Sequence, residues 1–347
     1  MSRNVLFIGG SLNQTTMMHQ IAKQMEGINA YFTPFFADGF LHFLGKAGLL
    51  NFTILGGRHF QNTLRYLQEN NLAIDYRGQN QKYDLIVTGT DLIMQKITRD
   101  TPVVLVQEGI MEPEDWIFSL VKSLKLPRYV ANTAATGLSD QYEVFCVASE
   151  GYRDLFIRKG VRPHKIAVTG IPNLDNLEAY QKNDFPLRGY VLVATSSARE
   201  TFKRDERIAF LQRARQIAAG RPILVKLHPN EYRPRALWEI RRFLPEAQIF
   251  TEGNIYPMIA NCDVLITQYS TVTFAGLLFG KETYSYLNLA ELRRLIPLQN
   301  GGKSAQNIAA ICQDLLNRPR LDRAWIRSLL PARGRMIFSN ESGHFGQ

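Results

Sequence analysis

Pro222-Ile223-Leu224-Val225-Lys226-Leu227-His228-Pro229-Asn230-Glu231 is a compact apolar run that stops in a polar, proline-marked turn. The pattern returns in Cys262-Asp263-Val264-Leu265-Ile266-Thr267-Gln268-Tyr269-Ser270-Thr271-Val272-Thr273. Near-continuous apolar runs of this length read as strands buried on both faces, the habit of parallel sheets covered by helices. In such sheets ligands bind beyond the carboxyl ends of the strands, so both polar turns are expected at one crevice.

Ser270 and Thr271 stand where the second strand gives way to the apolar segment Val272–Phe279, which Gly280 is placed to stop as a C′ residue. If that segment is a helix, its free N–H groups and positive dipole end form an anion site facing the crevice. The structural alternative is a plain N-cap on a buried helix. His228 adds an imidazole donor that becomes cationic near neutral pH if a phosphate lies against it, while a His-Pro pair can also be simple turn punctuation.

Working outward, strand-like and helix-like runs alternate along the whole chain, the signature of parallel α/β architecture. Strands are expected at 5–8, 84–88, 103–107, 144–148 and 166–169, with a helix between the first two whose apolar face is Met18, Ile21, Ala22 and Met25. The polar, non-periodic stretch 176–188 breaks the pattern before a fresh strand opens at 190–194. Two Rossmann-like doubly wound domains follow from this reading: 1–178, then a linker 179–188, then 189–320, with a tail 321–347 that is expected to cross back to the first domain.

The 347 residues carry a net charge of +10. Up to Asp184 there are 18 Lys and Arg and 18 Asp and Glu; beyond it there are 23 and 13, so the whole surplus falls in the second half. A basic half suits an anionic ligand, and much of the surplus is also explained by the arginine-rich tail. No nucleic-acid module or interleaving of basic and aromatic residues is present, so nucleic acid is not an expected partner. No apolar run reaches the roughly eighteen residues of a spanning helix, and the chain enters a strand at once after Met1, which reads as the absence of a signal peptide. Cys146, Cys262 and Cys312 are odd in number, far apart and apolar in context, as expected of reduced core residues in a cytoplasmic protein.

Several motifs are set aside. Asn300-Gly301-Gly302-Lys303-Ser304 ends like a phosphate-binding loop but has Pro297 where that loop needs glycine. Gly9-Gly10-Ser11-Leu12-Asn13 follows the first strand without the dinucleotide-binding glycine pattern, although it makes a tight polar turn at the cleft edge. There is no paired-aspartate motif and no His/Cys cluster, so the expected chemistry is metal-independent. Glu108, in Gln107-Glu108-Gly109 just past a first-domain strand, is the candidate acid/base, with a loop-stabilising carboxylate as the alternative. Thr195-Ser196-Ser197, past the first strand of the second domain, offers hydroxyls to a donor or a cap to the next helix, and Arg128 is a candidate acceptor contact. The aromatic stretch Phe35–Leu50 reads as core packing, with an interfacial membrane helix as the alternative.

This order of features resembles bacterial glycosyltransferases of the GT-B fold, more narrowly those of capsule and cell-surface polysaccharide synthesis. His228-Pro229 and Ser270-Thr271 resemble the HP and Ser motifs of sialyltransferase-like, Kdo-transferase-like and CDP-glycerol glycerophosphotransferase enzymes. Gln107-Glu108-Gly109 is similar to the acidic-acidic-Gly motif that supplies the base in sialyltransferases, with Gln in place of its first acid. Val168–Asn173 is similar to the turn that ends the first domain in UDP-sugar 2-epimerases and related transferases.

The resemblance implies a nucleotide-sugar donor, a glycan or lipid-linked acceptor, no cofactor, and a cytoplasmic site of action at the inner face of the membrane. On this reading Glu108 is the general base, and His228, Pro229, Ser270 and Thr271 hold the donor phosphate. Thr195, Ser196 and Ser197 line the donor pocket, and Gly10, Ser11, Asn13 and Arg128 face the acceptor. A non-hydrolysing UDP-N-acetylglucosamine 2-epimerase and a CDP-glycerol transferase are the alternative activities.

Overall fold

The computed structural model describes residues 2–51, 53–201 and 205–317. Among the described residues eleven strands form two wholly parallel sheets, as the unbroken apolar runs require. The first sheet has the order β2-β1-β3-β4-β5-β6, from β1 (Arg3–Gly9), β2 (Ile28–Pro34), β3 (Leu85–Thr88), β4 (Val103–Val106), β5 (Val144–Val147) and β6 (Ile166–Val168). The second has the order β11-β10-β7-β8-β9, from β7 (Val191–Ala194), β8 (Ile223–Lys226), β9 (Gln248–Phe250), β10 (Val264–Thr267) and β11 (Glu282–Tyr284). Val5, Leu6, Phe7 and Ile8 of β1 are wholly buried, because helices cover both faces of the sheet. The result is an α/β fold of two Rossmann-like sheets.

In each sheet the chain winds outward in both directions from a switch point, between β1 and β3 in the first and between β7 and β10 in the second. Crevices open at the carboxyl ends of the strands there. Helix α1 (Leu12–Lys23) follows β1 and buries Met17, Met18 and Ile21 against the sheet. Helices α2 (Gly39–Lys46) and α3 (Gly57–Glu69) follow β2, α4 (Trp116–Leu124) follows β4, and α5 (Glu150–Lys159) follows β5. In the second half, α6 (Arg207–Ala218) and α7 (Arg233–Phe243) flank β8, α8 (Ile255–Asn261) precedes β10, and α9 (Val272–Leu278) follows it.

After β11, α10 (Leu289–Leu295) is followed by a segment that returns to the first domain. Leu298 N–H donates to Ala148 O at 2.9 Å, and Asn300 Nδ2 donates to Thr169 O at 2.9 Å. Helix α11 (Ser304–Asn317) then packs Ile308, Ala309 and Cys312 into the core that holds Val5, Phe7, Leu85 and Val104. A crossing back thus already lies upstream of the tail: α11 falls inside the span 189–320 yet packs on the first sheet. There α11 lies beside α1 and over β3. The tail 321–347 lies outside the described residues.

Asn300-Gly301-Gly302-Lys303-Ser304 makes the turn into α11. Asp175 Oδ2 accepts the Ser304 N–H at 2.6 Å, and Gly170 lies so close to Ser304 Oγ that a Cβ there would overlap it. Its glycines serve a turn between domains, both at positive φ.

Candidate functional site

Glu108 is the centre of the first-domain side. It follows β4 directly, and its two carboxylate oxygens each accept one side-chain hydrogen bond: Ser11 Oγ donates to Oε1 and Gln14 Nε2 donates to Oε2, both at 2.6 Å. Ser11 is the N-cap of α1, and its Oγ also accepts from Gln14 N–H at 3.1 Å. The spacing Ser11-x-x-Gln14 is that of a capping box, in which Gln would ordinarily reach back to the cap. Here the Gln14 amide turns to Glu108 instead. Burial pushes the Glu108 carboxyl above its ordinary value, opposed by the Ser11 and Gln14 bonds. A partly desolvated carboxylate held at both oxygens is a proton acceptor of fixed orientation.

The other first-domain residues sort themselves around it. Gly10 sits against Gln14 and Ile54, with no room for a Cβ, and its carbonyl accepts from Thr63 Oγ1 at 3.1 Å. Asn13 is exposed, and its carbonyl accepts from Asn173 Nδ2 at 2.9 Å. Arg128 spends its guanidinium on the Asp91 carbonyl, at 3.1 and 3.3 Å. That bond fastens a loop beyond β3.

In the second domain the ends of β8, β7 and β10 are neighbours, so the turns that follow them converge. His228 N–H donates to Glu231 Oε2 at 3.0 Å and to Thr195 Oγ1 at 3.1 Å, and Thr195 Oγ1 donates to the same carboxylate oxygen. His228 Nδ1 accepts from Asn230 N–H at 3.1 Å, which leaves Nε2 to carry the proton of the neutral ring. Burial, helped by the Lys226 charge, lowers the imidazole pKa to about 4. In the unliganded protein His228 is therefore a neutral Nε2–H donor at pH 7, and it becomes a cation only when a bound anion compensates the burial.

Thr195 and Ser196 differ from the expectation of donor-pocket hydroxyls. Both are buried, and both are committed within the protein. Ser196 Oγ donates to Gln268 Oε1 at 2.6 Å, and Gln268 Nε2 donates to Asp205 Oδ1 at 2.7 Å. Arg207 ties the group together, bonding Glu231 Oε1 at 2.7 Å, Ser196 O at 2.9 Å and Asp205 Oδ2 at 3.0 Å. These side chains hold the strand-end turns in place. Ser197 is half-buried and Pro229 exposed, beside them.

Helix α9 starts at Val272 and is seven residues long, with Gly280 just past its end at φ +65°. Thr271 makes no side-chain cap; Ser270 Oγ accepts from Val272 N–H at 3.4 Å, a long bond. Thr271 instead touches the first domain. Its Oγ1 accepts from Ile110 N–H at 3.5 Å, and a Cβ on Gly109 would lie 2.9 Å from it. The Glu108-Gly109-Ile110 turn and the Ser270-Thr271 turn thus meet across the two sheets. The turn that carries the carboxylate is thereby brought against the turn that carries the two hydroxyls.

Sequence reading missed Gln14, Glu231, Arg207 and Gln268. The capping-box spacing was a usable signal for Gln14; nothing local marks Arg207, whose partners lie on three different turns. It also passed over Tyr269 and Tyr286, which lie beyond the ends of β10 and β11 with rings edge to face at 5.5 Å and remain 61% and 43% exposed. Among the described residues no group of three or more His, Cys, Asp or Glu could hold a metal ion.

No family model and no curated protein sequence matches the chain. Solved structures do. A UDP-GlcNAc 2-epimerase from Neisseria meningitidis bound to UDP-GlcNAc is 12% identical, with a TM-score of 0.54 over 90% of this chain and 100% of the other. MnaA of S. aureus in complex with UDP is 12% identical, with a TM-score of 0.58 over 91% of this chain and 97% of its own. A variant of the wall teichoic acid polymerase TagF is 13% identical, with a TM-score of 0.50 over 90% and 89%. These likenesses, with the two facing parallel sheets, define a protein of the GT-B fold.

Proposed function

We propose that the protein is a GT-B glycosyltransferase that moves a sugar from a nucleotide-activated donor to a hydroxyl of a glycan or lipid-linked acceptor in surface polysaccharide synthesis, at the cytoplasmic face of the membrane. The observation that carries the reading is Glu108, a half-buried carboxylate oriented by Ser11 and Gln14, on the turn that meets Ser270-Thr271 where the two domains touch. Solved structures of the same fold hold UDP or UDP-GlcNAc, which supports a nucleotide-sugar ligand for this cleft.

The acceptor hydroxyl loses its proton to Glu108 while its oxygen bonds to the anomeric carbon. The bond from that carbon to the donor phosphate breaks, and its electron pair stays on the phosphate. His228 Nε2–H and the Ser270 hydroxyl donate to that phosphate, and the buried Lys226, whose ammonium lies near enough to depress the imidazole pKa, adds positive charge. This scheme asks for no metal. Tyr269 and Tyr286 offer exposed ring faces to the nucleotide base, a contact worth about 1–3 kcal/mol per stacked base.

The test is binding of UDP, CDP, CMP and GDP, read as a rise in melting temperature. At least one nucleotide stabilises the wild type, and His228→Ala and Ser270→Ala each weaken that effect without unfolding the chain. The reading is overturned if no nucleotide binds, or if both variants keep full affinity. Incubation with UDP-N-acetylglucosamine alone, followed by NMR, separates transfer from the alternative 2-epimerase activity, since only the epimerase produces the C2 epimer without an acceptor.

A further inference from the structure

Gly109 is a glycine for lack of room and not for backbone freedom. It is buried, and its φ is not positive. A Cβ there would lie 2.9 Å from Thr271 Oγ1 and 3.4 Å from Thr271 Cγ2, so a residue of the other domain fills the space that a side chain needs. On its own side the turn is pinned by Gln107, which is wholly buried. Its Nε2 donates to Gly109 O at 2.8 Å, and its Oε1 accepts the Ala148 N–H at 2.9 Å. A carboxylate at position 107 would have no N–H to give the Gly109 carbonyl. On the far side Ile110 N–H donates to Thr271 Oγ1 at 3.5 Å. Behind this contact the domains share one apolar core. Ile110 and Met111 of the first domain and Val272 of α9 pack against a buried cluster that holds both Tyr152 of α5 and Phe274 of α9, whose rings meet edge to face at 6.4 Å.

We infer that Thr271 is a positioning residue acting through Gly109, and that it sets the separation between the Glu108 carboxylate and the donor-phosphate site of the opposite domain. The roles of those two groups rest on the proposed transfer reaction; the contact itself does not. Glu108 and Ser270 are each one residue from the point of touch, a Cα step of about 3.8 Å on either side. A shift at the contact therefore reaches both. On this assignment the Thr271 hydroxyl is no phosphate ligand, which divides the Ser270-Thr271 pair: Ser270 serves the donor and Thr271 the facing domain.

Close packing carries most of the effect, since a hydrogen bond of 3.5 Å is weak. Threonine is β-branched and stiff at χ1, so a Cβ at position 109 is accommodated only by turning Thr271 off Ile110 or by moving the two turns apart. Either response ends the contact. The consequence for the proposed reaction is large, because a misplacement of about 1 Å between reacting groups costs on the order of 10²-fold in rate. Binding of a nucleotide at the Ser270 turn is also transmitted to the Glu108 turn by this route. Simple packing between domains would affect stability without making the Glu108 turn respond to a ligand held by the other domain.

The experiment is a double-mutant cycle on Gly109→Ala and Thr271→Ala in the full chain, with Thr271→Ser alongside. Gly109→Ala lowers the melting temperature by about 2–4 °C in the wild-type background and by less than about 1 °C once Thr271 is replaced by Ala. The affinity for UDP, CDP, CMP or GDP, whichever binds most tightly, stays within about threefold of wild type in each variant. Amide hydrogen exchange then reads the coupling. Saturating nucleotide slows exchange of the Glu108-Gly109-Ile110 turn by at least about threefold in wild type and in Thr271→Ser, which keeps the acceptor oxygen, and leaves it unchanged in Gly109→Ala and Thr271→Ala. The inference falls if the two melting effects add, or if the nucleotide gives the turn the same protection, or none, in wild type and all variants. It also falls if Thr271→Ala weakens nucleotide binding by about tenfold or more, the mark of a lost phosphate ligand. A wild type that binds no nucleotide overturns the proposed function and with it the positioning role, while the melting cycle, which needs no ligand, still reads the contact by itself.

Discussion

Burial moves the titration of both Glu108 and His228, raising the carboxyl of the one and lowering the imidazole of the other, and both therefore tie activity to stability. Glu108→Gln keeps the shape and removes a buried charge whose folded-state pKa is raised. Above the ordinary carboxyl pKa that charge opposes folding, so the variant is expected to be more stable than wild type at pH 7 while turnover falls by about 10²–10⁴-fold. Urea midpoints and initial rates with the cognate donor check the two signs together; a variant that is as active as wild type removes Glu108 as the base. For His228 the folded pKa, about 4, lies below the unfolded value near 6.5. Its contribution is present in full above the unfolded pKa and is lost as pH falls from there to about 4, to a total of roughly 3 kcal/mol. Unfolding free energy measured across that window should slope less in His228→Asn than in wild type.

At the scale of elements, the turns after β7, β8 and β10 are held by one buried guanidinium. Arg207 is 3% exposed and serves Glu231, Asp205 and the Ser196 carbonyl. Arg207→Met leaves two buried carboxylates short of a partner and is expected to cost about 3–5 kcal/mol, with nucleotide binding lost in the same variant even at temperatures where it is folded. Chemical unfolding and calorimetric titration read the two effects; retention of wild-type affinity would mean that the turns are held by something else. Much at this scale was legible. Strand runs, the stop at Gly280 and the apolar face of α1 follow from local pattern. The roles of Thr195 and Ser196 were not, because a hydroxyl at a strand end looks the same whether it faces a ligand or a buried carboxylate. The position of Glu231, folded back by the His228-Pro229-Asn230 turn, decides for Thr195, and that of Gln268 decides for Ser196.

At the scale of the molecule, α11 makes the two halves interdependent. Its residues come after the second sheet in sequence and pack on the first in space, with Ile308 wholly buried there. Ile308→Ala is expected to cost about 2–5 kcal/mol and to raise hydrogen exchange in β1 and α1 more than in β7 and β8. Equal loss of protection in both sheets would show that the molecule unfolds as one unit. The sequence reading placed the span 304–317 with the second domain by its position in the chain, and no local pattern in it names the sheet it packs on.

The amino-acid order by itself determined that there are two parallel α/β units and that polar turns cap their strands, and it offered Glu108, His228 and Ser270-Thr271 as the candidate groups. These are local properties, set by hydrophobic runs and by which residues end them. The tertiary structure alone decided which turns meet. Glu108 reaches its partners Ser11 and Gln14 because β3 alone separates β4 from β1, and it faces Thr271 because the chain returns through α11 and holds the two sheets with their carboxyl ends together. Contacts between residues 94, 97 and 161 positions apart leave no mark in local sequence, so the site had to be seen assembled.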